Sequence, residues 1–150
     1  MVKKHILPLT YEPKIMDVRT GKCTQTIRPI TSSITKDVGD LVMFHGWAGK
    51  PYRSEWNWRT PYCKIIEAFD VKISDNGLFI YTFAQTECYP LVKGVEADKI
   101  AKLDGFDNYD SMYQQFKKMY GNKLKNITFR VIRWSPVPLK MKLDGIQGVL

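Results

Sequence analysis

Cysteine is scarce in this chain, and what there is does not pair. Cys23, Cys63 and Cys88 lie far apart among 150 residues, with no Cys-x-x-Cys, and the only histidines are His5 and His45. A structural zinc site draws on about four such ligands, so no metal site is expected, and no cofactor either. An odd, scattered set of thiols argues against a disulfide framework and for a reducing compartment, which makes the cytoplasm the expected location. Long apolar runs are missing too. No stretch of about 18 apolar residues is present to cross a bilayer, so no membrane partner is expected. The start, Met1-Val2-Lys3-Lys4-His5, is basic but has no long apolar segment or cleavage site behind it. It reads as a first strand, not a signal peptide. No internal repeat and no low-complexity segment occurs.

Acidic residues are in deficit. Fifteen Asp and Glu face 23 Lys and Arg, a net charge of +8 with a pI near 9.4. Such a balance attracts polyanions over long range and makes nucleic acid a natural partner. A hydrophobic fraction of 44% supports a globular fold. The length suits one domain over 1–134, followed by a tail over 135–150 that carries Pro136, Pro138, Lys140 and Lys142.

Residues 3–9 read as a strand. Thr10 is placed to cap a helix with Glu12 and Pro13 in its first turn, Ile15 and Val18 on its apolar stripe with Met16 beside it, Arg19 in its last turn and Gly21 as terminator. From Cys23 to Arg28 the pattern becomes extended. Alternation puts Thr24, Thr26 and Arg28 on one face, with Arg19 and Lys22 just before them. Two hydroxyls beside basic groups suit a phosphate or a base edge. The same pattern equally describes a half-buried strand with a solvated polar face.

Pro29 ends that strand, and a Thr- and Ser-rich loop leads to the turn Asp37-Val38-Gly39-Asp40. Leu41 to His45 is a nearly continuous apolar run, hence a buried strand, with His45 either a pocket residue or a structural one. Residues 46–62 carry Trp47, Trp56 and Trp58 together with Lys50, Arg53 and Arg59, punctuated by glycine and proline, and read as a loop. Aromatics interleaved with arginines are what base stacking and phosphate contact require. The same tryptophans could instead plug one end of a small barrel. Strands over 62–73 and 78–84 flank Ser74-Asp75-Asn76-Gly77, a hairpin signal. A loop over 85–94 follows, with Glu87, Tyr89 and Pro90. The pattern then predicts a short helix over 95–103, a second over about 108–120 capped by Asp107 or Asn108, and a final strand over 126–134. The fold class expected is α+β: a small, mixed, mostly antiparallel barrel with two or three helices.

The block Gly21-Lys22-Cys23-Thr24-Gln25-Thr26-Ile27-Arg28 resembles the signature of the ASCH domains, a branch of the PUA-like superfamily. That signature runs Gly, any residue, Lys, four residues, Arg. Gly21, Thr24, Thr26, Ile27 and Arg28 fall in place, whereas Cys23 occupies the lysine position and Lys22 sits one place early. The turn 36–42, the late helix and the closing strand 130–134 are similar as well. The resemblance implies a PUA-like β-barrel flanked by helices, with a cleft near the motif that binds RNA or a nucleotide- or nucleoside-like ligand. Arg19, Lys22, Thr24, Thr26 and Arg28 would floor the cleft, with His45, Trp47, Arg53, Trp56, Trp58 and Arg59 as a wall. Some ASCH proteins are amidohydrolases acting on N4-acetylcytidine through a lysine, a threonine and a glutamate. On this chain that set would be Thr26, Asp104 and, if the turn slips by one residue, Lys22. A ribonuclease would draw on His45, Asp104, Lys22 and Arg28. A protein–protein adaptor would account for the tryptophans but not for the charge.

Overall fold

The computed structural model describes residues 1–31, 33–81 and 91–136. Expectations for Cys88, for Glu87, Tyr89 and Pro90, for the end of the 78–84 strand and for the tail from 137 onward fall outside them. Along the chain the elements are β1 (Lys4–Pro8), α1 (Glu12–Arg19), β2 (Gln25–Pro29), β3 (Leu41–Trp47), β4 (Trp56–Arg59), β5 (Cys63–Ser74), β6 (Gly77–Tyr81), β7 (Leu91–Val92), α2 (Val95–Leu103), α3 (Tyr109–Tyr120) and β8 (Phe129–Trp134), with a 3-10 turn over Gly121–Asn126 before β8.

Among the described residues the class is α+β, with eight strands in a mixed sheet and three α-helices. β1 runs parallel to β3, while β3–β4, β3–β5, β5–β6 and β6–β7 are antiparallel. β8 pairs with β2 and with β5. The expected barrel is corrected. Closure needs pairing along both edges of every strand, and among the described residues β1, β2, β4 and β7 each pair with a single strand. Contacts gather the chain into two compact units, and β5 and β8 contribute residues to both.

The first unit comprises Met1–Thr24, Lys36–Glu67 and the residues from Arg133. The N-cap residue of its helix α1 is Tyr11, which gives no side-chain cap, so Thr10 does not play that part. Glu12 and Pro13 in the first turn and Arg19 in the last suit the two ends of the helix. Thr20 returns its N–H and its hydroxyl to the Met16 carbonyl. Gly21 follows at φ +81°, a conformation that strains any residue with a Cβ. The face α1 buries is Lys14 and Val18, and Met16 is exposed. Leu9, Val18, Val42, Phe44, Ile65 and Trp134 form the apolar interior of this unit. β1 is fastened by polar contacts: the buried His5 Nε2 lies 2.8 Å from Asp40 Oδ2, and the Lys3 N–H donates to Asp40 Oδ1 at 3.1 Å. Burial alone would raise the Asp40 carboxyl. The bonds from His5, the Asp37 N–H and the Lys3 N–H, with the Lys3 charge, outweigh it and hold the group at about 2.

The second unit comprises Gln25–Thr35 and Ala68–Ile132. Val71, Ile73, Leu78, Met112, Phe116 and Phe129 form its centre. Of the two caps expected, Asp107 or Asn108, it is Asn108 that caps α3, through a reciprocal pair with Ser111. The buried Tyr109 hydroxyl donates to the Ser74 carbonyl at 2.6 Å and lies 2.8 Å from that of Gly77, tying α3 to the β5–β6 hairpin. Gly77 is required there, since a Cβ would stand 2.1 Å from the Val92 carbonyl oxygen.

Candidate functional site

The stretch expected to be a loop is in part a strand. β3 extends to Trp47, and Trp56–Arg59 returns as β4. Three of the four β4 residues are exposed, so the strand carries none of the burial alternation by which a strand is recognised in sequence.

The register of this hairpin decides where its rings point. His45 pairs with Arg59, Gly46 with Trp58 and Trp47 with Trp56. One step along β3 is matched by two along β4, so Asn57 is the extra residue of a β-bulge. Side chains of paired residues share a face. Regular alternation would put Trp56 and Trp58 together. The bulge separates them, placing Trp56 with His45, Trp47 and Arg59, and Trp58 with Gly46.

On the first of these faces the rings form a continuous stack. His45 lies parallel to Trp56 with centroids 3.8 Å apart, and edge-on to Trp47 at 4.8 Å. Trp47 in turn packs on Tyr52 at 4.6 Å. Burial falls outward along the stack, from His45, which is buried, to Trp56 at 44% and Tyr52 at 78% exposure. Tyr52 is the one described non-glycine residue with positive φ, +64°. A left-handed backbone there costs about 1–3 kcal/mol, and it sits beneath an exposed ring. Arg59, paired with His45, is exposed, as are Lys50 and Arg53 on either side of Tyr52 in the chain.

On the opposite face the Trp58 indole occupies the space a Cβ on Gly46 would need, with Nε1 only 2.2 Å from that position. The Arg19 guanidinium lies over the Trp58 ring at 5.3 Å, so α1 and β4 are joined by a cation–π contact. Beside it is a pocket of about 230 Å³. Arg19, Thr20 and Gly21 line it together with Phe44, Cys63 and Trp134.

The motif residues are distributed differently from the expectation. Arg19, Lys22 and Thr24 belong to the first unit, Thr26, Arg28 and Asp104 to the second. Lys22 and Arg19 are exposed, and Thr24 and Arg28 are half-buried. Thr26 is only 4% exposed, with Gln25 and Ile27 buried on either side of it, so it floors no open hollow. Asp104, 3% exposed, receives the Gln25 side-chain amide at 3.1 Å, and the same amide nitrogen reaches the Ile100 carbonyl at 3.0 Å. Neighbours on a strand face opposite ways, so Asp104 lies on the Gln25 side of β2 and not on the Thr26 side. Gln25 is the residue sequence reasoning missed. A buried amide in a strand signals a partner, but that partner stands 79 positions away. Among the described residues no group of three or more His, Cys, Asp and Glu is arranged to hold a metal ion. No described helix is long and apolar enough to cross a membrane.

No protein-family model, curated protein or solved structure matches the chain.

Proposed function

We propose that this protein binds single-stranded RNA or a nucleotide-like segment of it through the β3–β4 hairpin. The observation that carries the reading is the graded stack Tyr52–Trp47–His45–Trp56, exposed at its outer rings, with Arg59 paired to His45 and the exposed Lys50 and Arg53 flanking Tyr52 in the chain. Every base has a π-face, so a platform of rings accepts bases without regard to sequence, at about 1–3 kcal/mol for each base stacked. Flanking arginines engage phosphate through two oxygens at once. The net charge of +8 supplies the long-range attraction. The likeness of residues 21–28 to the ASCH signature supports the same class of ligand. On this reading the principal contacts move from the motif strand to the hairpin, because Thr26 is buried while Trp56 and Tyr52 are not.

The test is anisotropy of a labelled RNA oligonucleotide against the full chain over a range of salt. Phosphate contacts give a negative slope of log K on log salt, about 0.7 for each phosphate on a single strand. Arg53→Ala and Arg59→Ala are each expected to reduce that slope by about one contact. Trp56→Ala is expected to weaken binding about 5- to 150-fold with the slope unchanged. A flat slope in the unsubstituted protein refutes the proposal.

A further inference from the structure

The pocket beside Arg19 has a size and a chemistry that the stacking face does not use. Its volume of about 230 Å³ exceeds the roughly 150 Å³ of an engineered cavity that takes benzene. It falls below the roughly 300 Å³ at which pockets for drug-sized ligands begin. One planar system of one or two fused rings matches that space, and a whole nucleotide does not.

The walls match such a ring. Phe44 and Trp134 meet at 4.7 Å with their planes tilted by 42°, and both line the pocket, giving it an aromatic surface. Burial pushes the Cys63 thiol up, so Cys63 adds no charge to that lining. Thr60 also lines the pocket. Its hydroxyl oxygen accepts the Phe44 N–H at 2.9 Å, which leaves the hydroxyl proton to donate to an acceptor on a ring edge. Arg19 is the one lining residue with a full charge, and its guanidinium is already shared with Trp58. Thr60 directly follows Arg59, so the pocket wall continues from the hairpin strand itself. β4 pairs with β3 alone among the described residues. A nucleic-acid strand lying on Trp56 therefore has a route round its other edge to Arg19.

We infer that this pocket takes one unstacked base of the bound RNA, with Arg19 at its mouth against that base or its adjoining phosphate. The inference rests on RNA binding by the hairpin, and adds to it a site where a single base leaves the stack and meets donors on its edge. Selection among bases then lies in the pocket, and sequence-tolerant affinity lies in the hairpin.

The experiment has two arms, both on the full chain. In the first, uridine, cytidine, adenosine and guanosine are titrated separately while NMR follows the Trp134 indole and the Thr60 and Cys63 amides. At least one nucleoside is expected to shift all three and to do so more strongly than the others. In the second, Thr20→Phe fills the pocket from its exposed rim. This variant is expected to abolish those shifts and to weaken oligonucleotide binding about 5- to 150-fold, the loss of one stacked base. Oligonucleotide binding with none of the three reporters moved by any nucleoside overturns the pocket and leaves the hairpin reading standing. Absence of both overturns the two together. The first arm needs no variant, so misfolding of Thr20→Phe would not shield the inference.

Discussion

Replacing Gly46 by alanine tests how the hairpin is built. The positive-φ glycines do not include Gly46, so the new methyl acts by contact and not by backbone strain. Its carbon would lie 2.2 Å from Trp58 Nε1, 2.6 Å from Cε2 and 3.0 Å from Cζ2. Three atoms of one rigid ring cannot yield separately, so the whole indole must swing away. Overpacking of this kind costs about 1–3 kcal/mol, and the departing ring also gives up the Arg19 contact, about 0.5–1 kcal/mol at an exposed site. For a chain of this length 1 kcal/mol moves the melting temperature by about 2–4 °C, so a fall of about 3–16 °C is expected. The decisive measurement is a double-mutant cycle with Trp58→Ala, read by urea and thermal melts. Once the indole is gone the methyl has space, and Gly46→Ala should then be neutral or slightly stabilising. If Gly46→Ala costs the same with and without Trp58, the account of the hairpin given above is wrong.

Two further outcomes follow from the polar contacts. Asp40 is held at about 2 in the folded protein against an ordinary 3.8, so its contribution is fully present above about pH 4 and is lost as pH falls toward 2. Urea melts between pH 5 and pH 2 should show an acid-side loss that Asp40→Asn lacks, and equal acid limbs for the two proteins would contradict this. In the second unit, burial pushes the Tyr109 hydroxyl up, with the bond to the Ser74 carbonyl partly opposing it. It therefore stays a proton donor where an ordinary tyrosine ionises. Tyr109→Phe removes the hydroxyl's bond to the Ser74 carbonyl and should cost about 0.5–1.5 kcal/mol by chemical denaturation. No measurable loss would mean that the hydroxyl does not join α3 to the hairpin.

What was legible in the sequence was what local rules govern. α2 falls on Val95–Leu103 as expected, α3 starts at the Asn108 cap, and β5 and β6 meet at the Ser74–Gly77 turn. Each is set by residues within a few positions of one another. β4 was hidden because an exposed edge strand has no buried side to alternate with. The motif misled for the opposite reason. Thr24, Thr26 and Arg28 do alternate, but Gln25, Thr26 and Ile27 are all buried, so polar character at Thr26 does not mean exposure. The Gln25–Asp104 bond joins residues whose spacing carries no pattern at all. Of the candidate site, the residue types in 47–59 were visible, but which rings face outward was not. That depends on one additional residue in β4, and sequence periodicity has no marker for it.

That additional residue has a genetic corollary. Asn57 is exposed and acts in the ladder as a spacer. Losing its codon would restore uninterrupted pairing and leave Trp56 opposite Trp47, on the face it occupies now. A lineage could therefore shed this codon and keep its ligand-facing rings in place, with nearly the whole text of the gene unchanged.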